Sequence, residues 1–273
     1  MNAKANNTKD KVRELQRKLY LSAKTNSKRR FHALYDKVYR KDILEEAWRR
    51  VKANKGSGGI DDISIEQIQL YGVDKLMQEI QDDLIGNNYH PKPVRRVYIP
   101  KKDGSKRPLG IPTIKDRIVQ MATKIVIEPV FEADFKESSY GFRPKRNQHQ
   151  ALSKISYHCN NGGYWVLDAD IKAYFDTINH EKLIKLIEMR ISDKRIIKLI
   201  RKWLKSGAVT NEGYEKTEIG APQGGVISPL LSNIYLNYLD VKWEKYYSHL
   251  GTLIRFADDF VIISKNKKSI RHA

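Results

Sequence analysis

Leu253 to Ile263 reads LIRFADDFVII, and no other stretch limits the fold so tightly. Two short apolar runs flank the pair Asp258–Asp259: Leu253, Ile254 and Phe256 before it, Phe260 to Ile263 after it. β-Branched and aromatic residues dominate both runs, which is the pattern of a strand, a tight turn and a returning strand. Neighbouring carboxylates repel, and each disfavours the charged form of the other, so a cation opposite them is expected. Magnesium takes oxygen ligands and is commonly held by one or two carboxylates together with substrate phosphates. A solvated Asp-Asp turn fits the same pattern, since Asp is a favoured turn residue. A third carboxylate on a second strand, together with a nucleotide site, decides between the two.

The 273 residues suffice for one large or two ordinary domains. No run of about 18 apolar residues suggests a membrane span, and the N-terminus MNAKANNTKDKVRELQRK lacks the apolar stretch of a secretory signal. The one cysteine, Cys159, leaves no internal disulfide and no Cys-based zinc site. That fits a reducing compartment, so a cytoplasmic protein with no membrane partner is expected. With 51 Lys and Arg against 32 Asp and Glu, the formal net charge is +19. Such a charge calls for a polyanion, nucleic acid first and an anionic membrane surface second.

Residues 1–8 are polar and are expected to be disordered. Val12, Leu15, Leu19 and Tyr20 follow helical spacing, as do Phe31, Leu34, Tyr35 and Val38, and Leu44, Ala47, Trp48 and Val51 mark a third helix. A solvated face explains the Lys and Arg on one such helix. Three in succession point to an RNA- or DNA-binding face, with Lys11, Arg13, Arg17, Lys18, Lys28, Arg29 and Arg30 among its cations. The Gly-rich loop Asn54 to Asp62 lacks P-loop spacing. Ile63 to Gly86 reads as helix, with Ile65, Ile68, Leu76, Ile80 and Leu84 inward.

Arg95 to Pro112, RRVYIPKKDGSKRPLGIP, reads as a β-hairpin: Val97 and Ile99 alternate with polar residues, Asp103–Gly104 turns, and Leu109 and Ile111 return. Lys101, Lys102, Lys106 and Arg107 cluster at that turn, where they suit a triphosphate or simply protect an exposed edge. Ile114 to Ala133 has helical periodicity that Pro129 ends or kinks. In SYGFRPKRNQHQAL, Arg143, Lys145 and Arg146 precede a helix starting near Asn147, which suits phosphate contacts; a plain basic loop stays open. Tyr164 to Asp176, YWVLDADIKAYFD, supplies the third carboxylate. Trp165, Leu167, Ala169 and Ile171 fall on one strand face, and Val166, Asp168 and Asp170 on the other. Acids on a strand otherwise fit for burial mark a functional conflict. Helices are expected after Asn179, a suitable cap, and over Ile196 to Leu204.

DIKAYF, an Asp with an aromatic five positions on, resembles motif A of the palm polymerases. FADD in a hairpin resembles motif C, usually YADD in reverse transcriptases; Phe for Tyr leaves the carboxylates in place. Between them APQGGVISPLLSNIYLNYLD resembles the motif-B block of reverse transcriptases encoded by group II introns, with Ser228 and Pro229 suited to N-cap and N1 of a helix. RRVYIPKKDGSKRPLGIP and SYGFRPKRNQHQAL resemble the fingers blocks of that group, and NKGSGGIDD its extra N-terminal block. The similarity runs from about residue 30 to the end.

The chain is thus identified as a member of the group II intron-encoded reverse transcriptases and maturases. The resemblance implies an α+β, right-hand polymerase fold. A basic helical N-terminal extension and fingers would occupy 1–90, fingers with the β-hairpin 91–160, and a palm 161–273, its antiparallel sheet carrying the catalytic Asp residues. The family continues with a thumb and a maturase segment, so a fragment with the thumb absent, weak or inactive in synthesis and open to homodimer formation, is expected. Two Mg2+ ions would be held by Asp170, Asp258 and Asp259 with the Ile171 carbonyl; Asp168 competes with Asp170. Lys101 and Arg107, with Arg95, would hold the triphosphate of a dNTP. Phe175 would block a ribose 2′-hydroxyl, and Gln223 would touch the nascent base pair. The implied partners are dNTPs, an RNA template with DNA primer, the group II intron RNA, and target DNA in the full-length protein. A non-catalytic RNA-binding splicing cofactor, or a retron or diversity-generating reverse transcriptase, are the other readings.

Overall fold

A computed structural model describes residues 2–100, 104 and 106–273 of the chain. Lys101, Lys102 and Asp103, and with them the expected turn of the first hairpin, lie outside the described residues. The chain forms two compact units, each built from two separated stretches: Met1–Ala133 with Phe175–Ser228, and Asp134–Tyr174 with Pro229–Ala273.

The elements run in order α1 (Asn2–Thr25), α2 (Tyr35–Val38), α3 (Lys41–Ala53), α4 (Ile65–Tyr71), α5 (Val73–Ile85), β1 (Val94–Pro100), β2 (Lys106–Ile111), α6 (Ile114–Glu132), α7 (Gln148–Asn160) and β3 (Trp165–Ala169). Then follow α8 (Tyr174–Thr177), α9 (His180–Glu188), α10 (Lys194–Leu204), β4 (Ala208–Thr210), β5 (Gly213–Glu215) and α11 (Ser228–Lys242), a π-helical segment Trp243–Tyr247, β6 (Thr252–Phe256), β7 (Asp259–Ser264) and α12 (Lys267–Arg271).

In the first unit α6 is the central helix: Ile118, Val119, Ala122, Ile125, Val126, Ile127 and Val130 are all buried. It packs against α1 and α3. Pro129 neither ends nor interrupts it; the helix runs on to Glu132. A proline at 129 removes the N–H that would reach the carbonyl of Ile125. The Gln16 side-chain amide donates to that carbonyl instead, at 3.1 Å. Helix α1 begins at Asn2, so residues 2–8 are helical rather than disordered. Phe31 lies in a short parallel bridge with Ile191, and the second expected helix shrinks to α2. Asp193 explains this: its carboxylate accepts the N–H groups of Leu34 and Tyr35, both at 2.9 Å, and fixes the chain just before α2. The helix expected over 63–86 is two, divided at Gly72 with φ 108°, a conformation glycine adopts without steric cost.

β1 and β2 pair antiparallel from Arg95↔Ile111 to Pro100↔Lys106, and the sheet order is β2-β1-β4-β5, with β1 and β4 parallel. Val97 and Ile99 do not bury; they are 38% and 45% exposed, because the outer half of the hairpin has no layer covering either face among the described residues.

In the second unit β3, β7 and β6 form an antiparallel sheet in that order. One face packs on α7: Ile254 and Ile263 cluster with Tyr140 and Ala151. The other packs Leu253 and Ile262 on Trp243, with Ile270 of α12 beside them. Asn147 caps α7 in a capping box with Gln150, as its position suggests. Among the described residues no helix is long and apolar enough to cross a membrane.

Candidate active site

Register brings the acids together. β3 pairs with β7 from Trp165↔Ser264 to Ala169↔Phe260, and one further step sets Asp170 opposite Asp259. β7 pairs with β6 up to Asp259↔Phe256, leaving Ala257 and Asp258 as a two-residue turn. Side chains alternate along strands. Val166, Asp168 and Asp170 therefore share a face with Asp259, Val261 and Ile263, which is the division the sequence predicts. Asp170 stands just past the end of β3, and Asp168 one pair further in. The strand is not fit for burial, however: Trp165 is 38% and Val166 50% exposed.

The carboxylates feel one another. Partial burial first, then the charges of Asp258, Asp170 and Asp168, raise the Asp259 pKa above the ordinary carboxylate value. A cation among them relieves that repulsion, and an all-oxygen donor set suits a hard ion such as magnesium. The residues thus fit the ion by type and by sheet position. Among the described residues no three His, Cys, Asp or Glu side chains are gathered closely enough to hold a metal. The Ile171 carbonyl accepts the Tyr174 N–H at 3.2 Å; its second lone pair is still available.

What holds the Asp258 turn was not foreseen. Arg255 is fully buried, and its guanidinium donates to Asp240 (Nε–Oδ1 2.9 Å), the Ala257 carbonyl (2.7 Å), Asn233 (3.2 Å) and the Ser139 hydroxyl (2.8 Å). Its partner Asp240 is equally buried. A buried guanidinium needs such saturation, since desolvating an unpaired charge is costly. Ala257 sits at φ 59°, unusual for a residue with a Cβ. The turn is pinned from behind by its own carbonyl's bond to Arg255. It is also pinned by Gly141: a Cβ there would lie 2.2 Å from the Ala257 nitrogen. The Tyr140 N–H donates to the Arg255 carbonyl at 2.9 Å, and Asn233 donates to the Gly141 carbonyl at 2.9 Å. SYGFRP therefore braces the acidic turn. The available signals were an Arg inside an apolar strand, and Asn233 and Asp240 seven residues apart on one helix.

The expected nucleotide-binding residues belong to the first unit. Arg107 donates from Nε to Gln223 at 2.9 Å, so two of them are in direct contact, and Gln223 reaches Asp176 at 3.4 Å. Arg95 pairs with Asp62 at 2.5 Å and donates to the Gly58 carbonyl at 2.7 Å, which ties the hairpin to the Gly-rich loop. Phe175 is buried, its carbonyl accepting from the Ala221 N–H. Ser228 opens α11, and its hydroxyl donates to the Pro222 carbonyl at 2.8 Å.

Among the expected RNA-binding residues Lys11, Arg13, Arg17, Lys18, Lys28, Arg29, Arg30 and Lys145 are exposed. Arg143 is not available to a phosphate. It is buried, donating to the Ser139 carbonyl at 2.7 Å and lying over the Phe135 ring. Arg146 is turned onto Glu137 and the Tyr140 ring. Proximity to these inward partners, invisible in sequence, recruits two of the three cations of this loop to structure.

Residues 99–273 match the family model described as reverse transcriptase (RNA-dependent DNA polymerase). The chain is 37% identical to Protein YkfC of Escherichia coli (strain K12), over 94% of this chain and 77% of that protein. It is 43% identical to the group II intron-encoded protein LtrA of Lactococcus lactis subsp. cremoris, over 77% of this chain but only 35% of LtrA. Among solved structures, a chain of a partial Cas6-RT-Cas1–Cas2 complex matches with a TM-score of 0.55 and 26% identity, over 86% of this chain and 38% of that one.

Proposed function

The chain belongs to the reverse transcriptase family, with group II intron-encoded proteins among its relatives, and from that premise we propose that it is the RNA-directed DNA polymerase of a group II intron. The observation that carries this is the register: Asp170 falls opposite Asp259, next to Asp258 in its braced turn. Asp170, Asp258 and Asp259, with the Ile171 carbonyl, are proposed to hold magnesium. When bound, a pair of such ions activates the primer 3′-hydroxyl and offsets the charge of the leaving pyrophosphate. Arg107, Lys101 and Arg95 neutralise the triphosphate, and the Arg107–Gln223 contact sets Gln223 for the nascent base pair. Phe175 excludes the ribose 2′-hydroxyl and selects dNTPs. The exposed cations of α1 and of 28–30 take the intron RNA, giving a maturase role in splicing and mobility. A bacterial, cytoplasmic setting is part of the proposal, and relatives in Escherichia coli and Lactococcus lactis support its bacterial half.

The test is the Asp258→Asn variant. Magnesium-dependent dNTP addition to a primer on an RNA template should fall at least a thousandfold, with the unfolding midpoint unchanged. A second readout needs no turnover: ferrous ion substituted for magnesium, with added hydrogen peroxide as oxidant and ascorbate to re-reduce the iron, should cleave the backbone near residues 170 and 258 by local hydroxyl-radical chemistry, and the variant should lose that cleavage. Cleavage elsewhere, or activity retained by the variant, overturns these ligands. Maturase binding is checked by salt: affinity for the intron RNA should fall steeply from low to moderate ionic strength.

A further inference from the structure

The C-terminal half of α11 and the π-helical segment after it carry a stripe the polymerase chemistry does not use. Tyr238, Tyr246 and Tyr247 are 58%, 48% and 49% exposed. Lys242 lies between them in sequence, its ammonium 5.5 Å from the Tyr238 ring and 5.0 Å from the Tyr246 ring. Lys245 lies 4.9 Å from the Tyr246 ring. Three ring–ammonium contacts fall between Tyr238 and Tyr246, two of them made by Lys242. The acids of the stretch are engaged elsewhere: Asp240 is buried on Arg255 and Glu244 is paired with Lys136. The face is therefore aromatic and positive. The π-helical turn keeps it so, since it buries Trp243, whose indole N–H donates to the Gly251 carbonyl, and leaves Tyr246 and Tyr247 outward.

We propose that the Tyr238–Lys242–Tyr246 stripe is a stacking platform for single-stranded RNA, built from residues other than the carboxylates and the cations of α1. Bases stack on the phenol rings, and the displaced ammonium groups meet the phosphates, the combination that sequence-tolerant single-strand binders use. Tyr238 and Tyr246 lie about two helical turns apart, ~10 Å, a length of about three stacked nucleotides at about 3.4 Å each. The lysines, left without acids of their own stretch, favour a polyanion, and an acidic protein partner is the alternative that sedimentation separates.

The experiment uses the whole chain and a 12-nucleotide oligouridylate, without dNTPs or metal, so its outcome does not depend on polymerisation. The Tyr238→Ala and Tyr246→Ala variants should each weaken single-strand binding about tenfold, while Tyr238→Phe should stay within about twofold. Lys242→Ala should lower the salt slope by about one. Photo-crosslinking with 5-iodouridine should label Tyr238 or Tyr246. Unchanged affinity with crosslinks confined to residues 9–52 overturns the proposal. So does an equal loss for duplex RNA, or a change in sedimentation with RNA binding intact, which would assign the stripe to protein docking.

Discussion

The molecule builds two β-hairpins on opposite plans. The hairpin β1–β2 leaves Val97, Tyr98 and Ile99 open to solvent and carries cations toward its turn. The hairpin β6–β7 has Leu253, Ile254 and Arg255 buried on one strand, and its turn carries acids. Among the described residues, the first has little beneath its outer half. The second rests on a saturated guanidinium and on a glycine that fits only with no side chain. Like charges that must stay together need a scaffold that cannot relax. Cations that meet a phosphate-bearing ligand can be ordered by that ligand, so their support can be slighter.

If this contrast is right, the largest effect comes from Arg255. Arg255→Ala should cost about 3–5 kcal/mol in urea unfolding, because it leaves Asp240 buried and unpaired. A cost below about 1 kcal/mol would erase the contrast between the hairpins. Gly141→Ala should follow at about 2–3 kcal/mol by overpacking against Ala257, with metal-dependent cleavage near residue 258 reduced as the turn shifts. On the open hairpin, Arg107→Ala should weaken dNTP binding about tenfold and leave stability within about 0.5 kcal/mol; a large stability loss there would mean that this hairpin too is a scaffold. The smallest effect tests how much an ion pair is worth without full burial. Glu46 is held by Arg49 first and then Arg50, which bring its pKa from 4.5 down to about 2. A depressed carboxylate stabilises fully above its ordinary value, and that contribution fades as pH falls from about 4.5 toward 2. Arg49 is 58% exposed, so Glu46→Ala should cost about 1 kcal/mol at neutral pH and flatten the acid side of the stability curve in that window.

The sequence made some of this legible for definite reasons. The β6–β7 hairpin and the face shared by Asp168 and Asp170 follow from period-two patterning, a local property. The cap Asn179 was readable because its side chain accepts an N–H three residues away, as that of Asn147, near the expected start of α7, also does. Arg255 was not, since its partners Ser139, Asn233 and Asp240 come from elsewhere in the chain and only the fold assembles them. Gly72 and Pro129 show local rules bending both ways. The glycine divided a helix that periodicity ran through, and the proline failed to end one because a distant glutamine took the stranded carbonyl. Arg143 and Arg146 looked like phosphate ligands only because their inward partners were unseen.

The bond from Gln16 to Ile125 has a practical side. Helix α1 wears its positive charge outside and anchors Val12, Leu19 and Ala23 inside. Trimming it to ask whether its cations matter would also strip the middle of α6 of its borrowed donor and uncover apolar wall. Swapping Lys11, Arg13 and Arg17 for glutamate, with Gln16 left alone, asks about charge and nothing else.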